Sequence, residues 1–107
     1  VSGYYDDKLA AERLRRVYEL ASPRVRQYLD AELEYVLSRL GPGDVVLELG
    51  CGYGRALPAL ADEARLAVGV DTSFASLALA RDELVPYDNV RLVQADAVNL
   101  GIRDGAV

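Results

Sequence analysis

The chain predicts an α/β fold: a parallel sheet of three strands, a helix after each of the first two, and two further helices in front. Three observations carry this. Short unbroken apolar runs alternate with longer stretches of helical period, a glycine-rich turn joins the first run to its helix, and the later two runs each end on an aspartate. At 107 residues, 51% of them hydrophobic, the chain supports a modest core but is short for a full sheet of this kind. It reads as part of a domain.

In chain order, Val1 to Asp7 is short and polar apart from Tyr4 and Tyr5, and Lys8 to Ala21 places Leu9, Leu14, Val17, Tyr18 and Ala21 on one helical face. Ser22-Pro23 is a helix-start signal, a capping hydroxyl followed by a residue that loses no needed donor at the first helical position. The second helix is expected to run to about Leu40, with Val25, Tyr28, Leu29, Leu33, Val36, Leu37 and Leu40 as its apolar stripe and Gly41-Pro42-Gly43 as its stop. Charged residues on its other face read as solvated.

Val45-Val46-Leu47-Glu48-Leu49 is the first strand. It runs into Gly50-Cys51-Gly52-Tyr53-Gly54, after which a helix extends through about Glu63. Leu66 to Asp71 is a second apolar strand. Thr72 or Ser73 then caps a helix that lasts until Pro86, and Val90 to Asp96 forms the third strand. Right-handed crossovers place these strands in the order 3-2-1, leaving the first at an edge. An uncovered apolar edge invites pairing with another chain, so self-association through strand one is an expectation for a chain of this extent.

The glycine turn is where a small ligand is expected, because glycine reaches positive φ cheaply and its bare backbone permits close approach. Glu48 narrows the choice of ligand. It is the sole charge in its strand and lies near the carboxyl end, where open α/β sheets bind ligands. A carboxylate there repels a pyrophosphate and attracts an ammonium group.

Glu48-Leu49-Gly50-Cys51-Gly52-Tyr53-Gly54 resembles the acidic-x-Gly-x-Gly-x-Gly motif of class I S-adenosylmethionine-dependent methyltransferases. Asp71 and Asp96, at the ends of the next two strands, strengthen the likeness. The resemblance implies a Rossmann-like domain with residues 41–107 as its first half and 1–40 as a helical segment packed on it. It also implies a fourth strand beside the first, beyond Val107. The cofactor implied is S-adenosylmethionine. Glu48 would orient the methionine amino group, the backbone of Gly50, Cys51, Gly52 and Gly54 would line the amino-acid moiety, Asp71 would accept from the ribose hydroxyls, and Asp96 and the Ala97 amide would meet adenine. Thr72 departs from the family's larger apolar residue after the ribose acid, so Phe74 or Val98 is expected to supply that surface. The resemblance further allows Tyr4 and Tyr5 to close over the cofactor. No catalytic base can be named.

Two alternatives stay open. A nicotinamide-dependent oxidoreductase also places an acid some 20 residues after a glycine turn, although Glu48 and Arg55, which stands where that fingerprint wants its third glycine, weigh against it. The other is a binding module that holds S-adenosylmethionine without turnover, or a structural remnant that pairs through strand one.

Composition sets the remaining bounds. Net charge is −5; residues 1–40 hold seven basic and seven acidic groups, and 41–107 five and ten. That balance argues against a broad phosphate-binding surface, although a portion outside this chain could supply one; the expected acceptor is a small molecule and no nucleic-acid partner is evident. A single cysteine and no histidine exclude an internal disulfide and an ordinary zinc site, and Cys51 reads as a packing residue because no histidine can activate it. With no membrane-length apolar run and no leader pattern, a soluble cytoplasmic protein without a membrane partner is expected.

Overall fold

The computed structural model describes residues 2–96, with side chains from Asp7 onward. Its elements follow the expected sequence: α1 (Ser2–Glu19), α2 (Pro23–Leu37), β1 (Val45–Leu49), α3 (Leu57–Glu63), β2 (Leu66–Asp71), α4 (Phe74–Glu83) and β3 (Val90–Gln94). The three strands form one parallel sheet with β2 in the middle. Glu48 pairs in register with Gly69, and Asp71 with Gln94, so the carboxyl ends of all three strands lie along one rim. Sheet order and direction agree with the expectation, and β1 stands at an edge of the described sheet.

Because the sheet grows one way from β1 to β3, right-handed crossovers bring α3 and α4 to the same face. There Leu57, Leu60 and Ala61 of α3 meet Leu77 and Ala80 of α4, with Leu84, Ala67 of β2 and Cys51 of the turn completing the core. Gly69 in β2 makes this packing possible. A Cβ at that position would stand 2.7 Å from Leu57 Cδ1 and 2.8 Å from the Cys51 sulfur, so the missing side chain is what lets the turn and α3 settle on the sheet. Asn89 ties the far end together, its amide donating to the carbonyls of Ala61 (2.7 Å) and Ala64 (3.2 Å) at the close of α3.

Several boundaries differ from the reading above. Strand β3 stops at Gln94, so Asp96 lies two residues beyond it instead of ending the strand, α4 stops at Glu83 short of Pro86, and α1 stops at Glu19 instead of Ala21. Helix α1 begins at Ser2 instead of Lys8, and its first turns are held by Asp7, which bonds to the start of α4. Helix α2 stops at Leu37, not Leu40, because the chain tightens into i to i+3 bonds at Arg39 and Leu40. Its N-terminus is as expected: Pro23 opens it and the Ser22 hydroxyl accepts from Val25 N–H at 3.3 Å. Its apolar stripe is only half used. Leu33, Leu37 and Leu40 rest on the core, no residue of α2 is buried, and Leu29, Leu33 and Val36 face a cleft of about 330 Å³ beside Val46 to Leu49 of β1. Ala97, Val98 and the side chains of Tyr4 and Tyr5 lie outside the described residues. No described helix is long and apolar enough to cross a membrane.

Candidate functional site

Strand β1 ends at Leu49 and the chain turns at once, pinned to β2 by the Val70 carbonyl, which accepts from both Gly50 N–H (2.7 Å) and Cys51 N–H (3.0 Å). Gly50, Gly52 and Gly54 all have positive φ, at 70°, 59° and 85°, so the alternate glycines are a conformational requirement. Their open sides differ in use. A Cβ on Gly54 would press on Leu84, Ala80 and Leu57, one on Gly52 would come within 3.2 Å of Leu14 Cδ2, and one on Gly50 would meet nothing within 4 Å. Gly54 therefore serves packing against α4, Gly52 serves packing against α1, and Gly50 presents bare backbone to open space.

Beside Gly50 stands Glu48. Its Oε1 is buried without a hydrogen-bond partner, and burial pushes its pKa up, opposed by the Arg55 guanidinium. A hollow of about 100 Å³ opens here between Glu48, Gly50, Cys51, Tyr53 and Arg55, walled from α1 by Leu14 and Tyr18. Arg55 lies 5.1 Å from the centre of the Tyr18 ring, and Tyr18 and Tyr53 sit 6.1 Å apart with their planes at 58°. The floor is thus an unpaired acid and the rim is aromatic and cationic.

Asp71 reaches the same turn from β2. One carboxylate oxygen accepts from Gly52 N–H at 2.8 Å and the other from Ser73 N–H at 2.9 Å. Glu48 and Asp71 thus flank the turn, and both charges act on Cys51 between them, whose buried thiol is pushed up to about 12, chiefly by burial. Its sulfur bonds only to the Gly52 carbonyl, at 3.7 Å, in keeping with a packing role. Thr72 is exposed and contributes its carbonyl to Gln94 Nε2 (3.1 Å), while Phe74 projects from the start of α4, 54% exposed. Asp96 stands exposed on the rim, two residues beyond β3. Among the described residues no group of acids and cysteine could hold a metal ion.

Leu14, Tyr18 and Tyr53 line the hollow and were not among the expected side chains, and Asp7 lies beside the turn through its bonds to the start of α4. Asp7 accepts from Ser73 Oγ at 2.6 Å and from Ala75 N–H at 3.0 Å, and these bonds hold its carboxyl below the usual carboxylate range. Leu14 and Tyr18 carried the signal of a helix's apolar face, which says nothing of what that face covers.

A family model described as a methyltransferase domain matches residues 46–107, more than half of the chain. The chain belongs to the methyltransferase-domain family. This methyltransferase-domain chain is 35% identical over 75 residues to the ribosomal RNA small subunit methyltransferase A of Moorella thermoacetica, an alignment covering 67% of this chain and 26% of the relative. Among solved structures it resembles a dimethyladenosine transferase from Plasmodium falciparum (TM-score 0.64, 22% identity, 78% of this chain and 29% of the other), a likeness of fold. It also resembles the geranyl diphosphate C-methyltransferase of Streptomyces coelicolor solved with S-adenosyl-L-homocysteine (TM-score 0.61, 26% identity, 73% of this chain and 32% of the other). The chain spans about a quarter of the Moorella relative's length.

One expectation is corrected here. The acidic balance suggested a small-molecule acceptor and no nucleic acid, yet the Moorella relative is a ribosomal RNA methyltransferase. Charge counted over a segment that aligns with a quarter of that enzyme does not report on the surface that meets an acceptor.

Proposed function

We propose that this chain forms the cofactor-binding portion of an S-adenosylmethionine-dependent methyltransferase. The observation that carries the reading is the buried, partnerless Oε1 of Glu48 beside the bare backbone of Gly50. A buried carboxylate oxygen without a hydrogen-bond donor is costly, and a cationic ligand that donates hydrogen bonds removes that cost. A pyrophosphate in the same place would add a second anion, which disfavours a nicotinamide dinucleotide.

The cofactor, when bound, supplies an electrophilic methyl group on its sulfonium sulfur. Glu48 accepts from the ammonium of the amino-acid moiety, and Gly50 admits that moiety against the main chain. Asp71 keeps lone pairs for the ribose hydroxyls, since each oxygen accepts one backbone N–H. Asp96 and Thr72 flank the adenine edge, with Phe74 offering an apolar surface beside it. Because the turn is pinned to Val70 before any ligand arrives, these groups hold the cofactor in one orientation, which is the main protein contribution when the leaving group is already activated.

Calorimetric titration of the full-length protein with S-adenosylmethionine and with a nicotinamide dinucleotide tests the reading. Binding of the first and not the second is expected. Asp71→Ala should weaken that binding by about ten- to a hundredfold, the worth of about 1.5–3 kcal/mol in charge-assisted hydrogen bonds. Failure of the wild-type protein to bind S-adenosylmethionine would overturn it.

A further inference from the structure

The bonds that Asp7 makes have no part in the chemistry above, and they join segments 66 and 68 residues apart. Ser73 is the node. Its N–H donates to Asp71 (2.9 Å), its Oγ donates to Asp7 (2.6 Å), and the same Oγ accepts from Ser76 N–H (3.1 Å) as the cap of α4. The carboxylate assigned to the ribose and the carboxylate that anchors α1 are therefore held by one residue.

The consequence lies further along α1. Asp7 and Leu14 are seven residues, two helical turns, apart, so both lie on the same face of α1. Leu14 meets the open side of Gly52, and Tyr18, one turn on, stands against Tyr53 and Arg55. A second tie, Arg15 to Glu83, fastens the middle of α1 to the end of α4. Leu14 and Tyr18 are in turn the outer wall of the hollow that Glu48 floors. Without its anchor, α1 has no other described hydrogen bond to the N-terminal end of α4, and the wall loses its footing.

Building on the cofactor reading above, we propose that Asp7 is a positioning residue for cofactor binding. It clamps α1 across Ser73 and Ala75, so that Leu14 and Tyr18 close the pocket, and clamp and cofactor favour one another. The cofactor would meet a wall already in place in the wild-type protein. Where the wall is docked only a tenth of the time, apparent affinity falls about tenfold.

The test uses the full-length protein with Asp7→Ala, Asp7→Asn and Ser73→Ala. Calorimetry with S-adenosylmethionine should show affinity reduced about tenfold in Asp7→Ala and less in Asp7→Asn, which keeps one acceptor. In the Ser73→Ala background, Asp7→Ala should cost clearly less than it does alone. Hydrogen–deuterium exchange over residues 8–19 supplies the readout that a merely structural role would not move. Exchange there should be slow in the ligand-free wild-type protein and faster in ligand-free Asp7→Ala, and saturating cofactor should slow it more in Asp7→Ala than in the wild type, while exchange in β2 stays slow in both and shows the fold intact. A wild-type protein that binds no S-adenosylmethionine would overturn the cofactor reading itself. A wild-type protein that binds, with Asp7→Ala binding equally well or showing the same protection of residues 8–19 before cofactor is added, would overturn the clamp alone.

Discussion

Replacing Glu48 with glutamine separates binding from stability, because the structure assigns this carboxylate opposite effects on the two. Its Oε1 has no partner and its charge is disfavoured by burial, so Glu48→Gln should raise the melting temperature of the ligand-free protein. The same change removes one charge-assisted bond to the cofactor ammonium, about 1.5–3 kcal/mol, and should weaken S-adenosylmethionine by about ten- to a hundredfold. The pH dependence follows from the raised pKa. The folded, ligand-free protein binds this proton more tightly than the unfolded chain, so the stability it contributes is complete below the ordinary glutamate range and is lost as pH rises through the raised value. Cofactor binding requires the carboxylate, so affinity falls as pH drops through that same value. Titration calorimetry from neutral pH down through the raised carboxylate titration should therefore show wild-type affinity declining on acidification and Glu48→Gln nearly flat. Equal affinities at neutral pH, or the same pH profile in both proteins, would refute this account of the site.

Gly52→Val should abolish cofactor binding and lower stability, since the residue sits at φ 59° and an added Cβ meets Leu14 at 3.2 Å, whereas Arg55→Ala at an exposed position should leave affinity within about threefold. Parallel melts and titrations of the two variants check the ordering. Gly69→Ala should cost about 1–3 kcal/mol in urea unfolding, because its Cβ would come within 2.8 Å of both Leu57 and Cys51. Cys51, its thiol pushed up to about 12, should resist a disulfide reagent in the native protein and react only on unfolding. Rapid labelling without denaturant would contradict its burial.

The sheet and its order were legible because apolar runs, glycines and terminal aspartates are local signals that one strand-turn-helix unit requires. Glu48 and Asp71 were legible as a pair for the same reason: Glu48 is the last residue but one of β1, Asp71 closes β2, and parallel register brings strand ends to one rim. What stayed hidden was non-local. Periodicity marks the apolar stripe of α2 but does not say that it will be left unburied beside an edge strand. Likewise the separate duties of Gly50, Gly52 and Gly54 depend on Leu14 and Ala80, neighbours that only the folded chain supplies. Asp7 read as part of a polar leader, and nothing in its surroundings along the chain points to Ser73.

Val70 lends its single carbonyl to two successive amides of the turn, using both of its lone pairs. Such a floor is costly to deform, so a guest arriving there meets a surface already set and little ordering entropy is lost at the turn on capture. Heat-capacity changes on complex formation should then follow the apolar surface a guest buries against Leu14 and Tyr18, and ligands too short to touch Leu14 should show smaller ones.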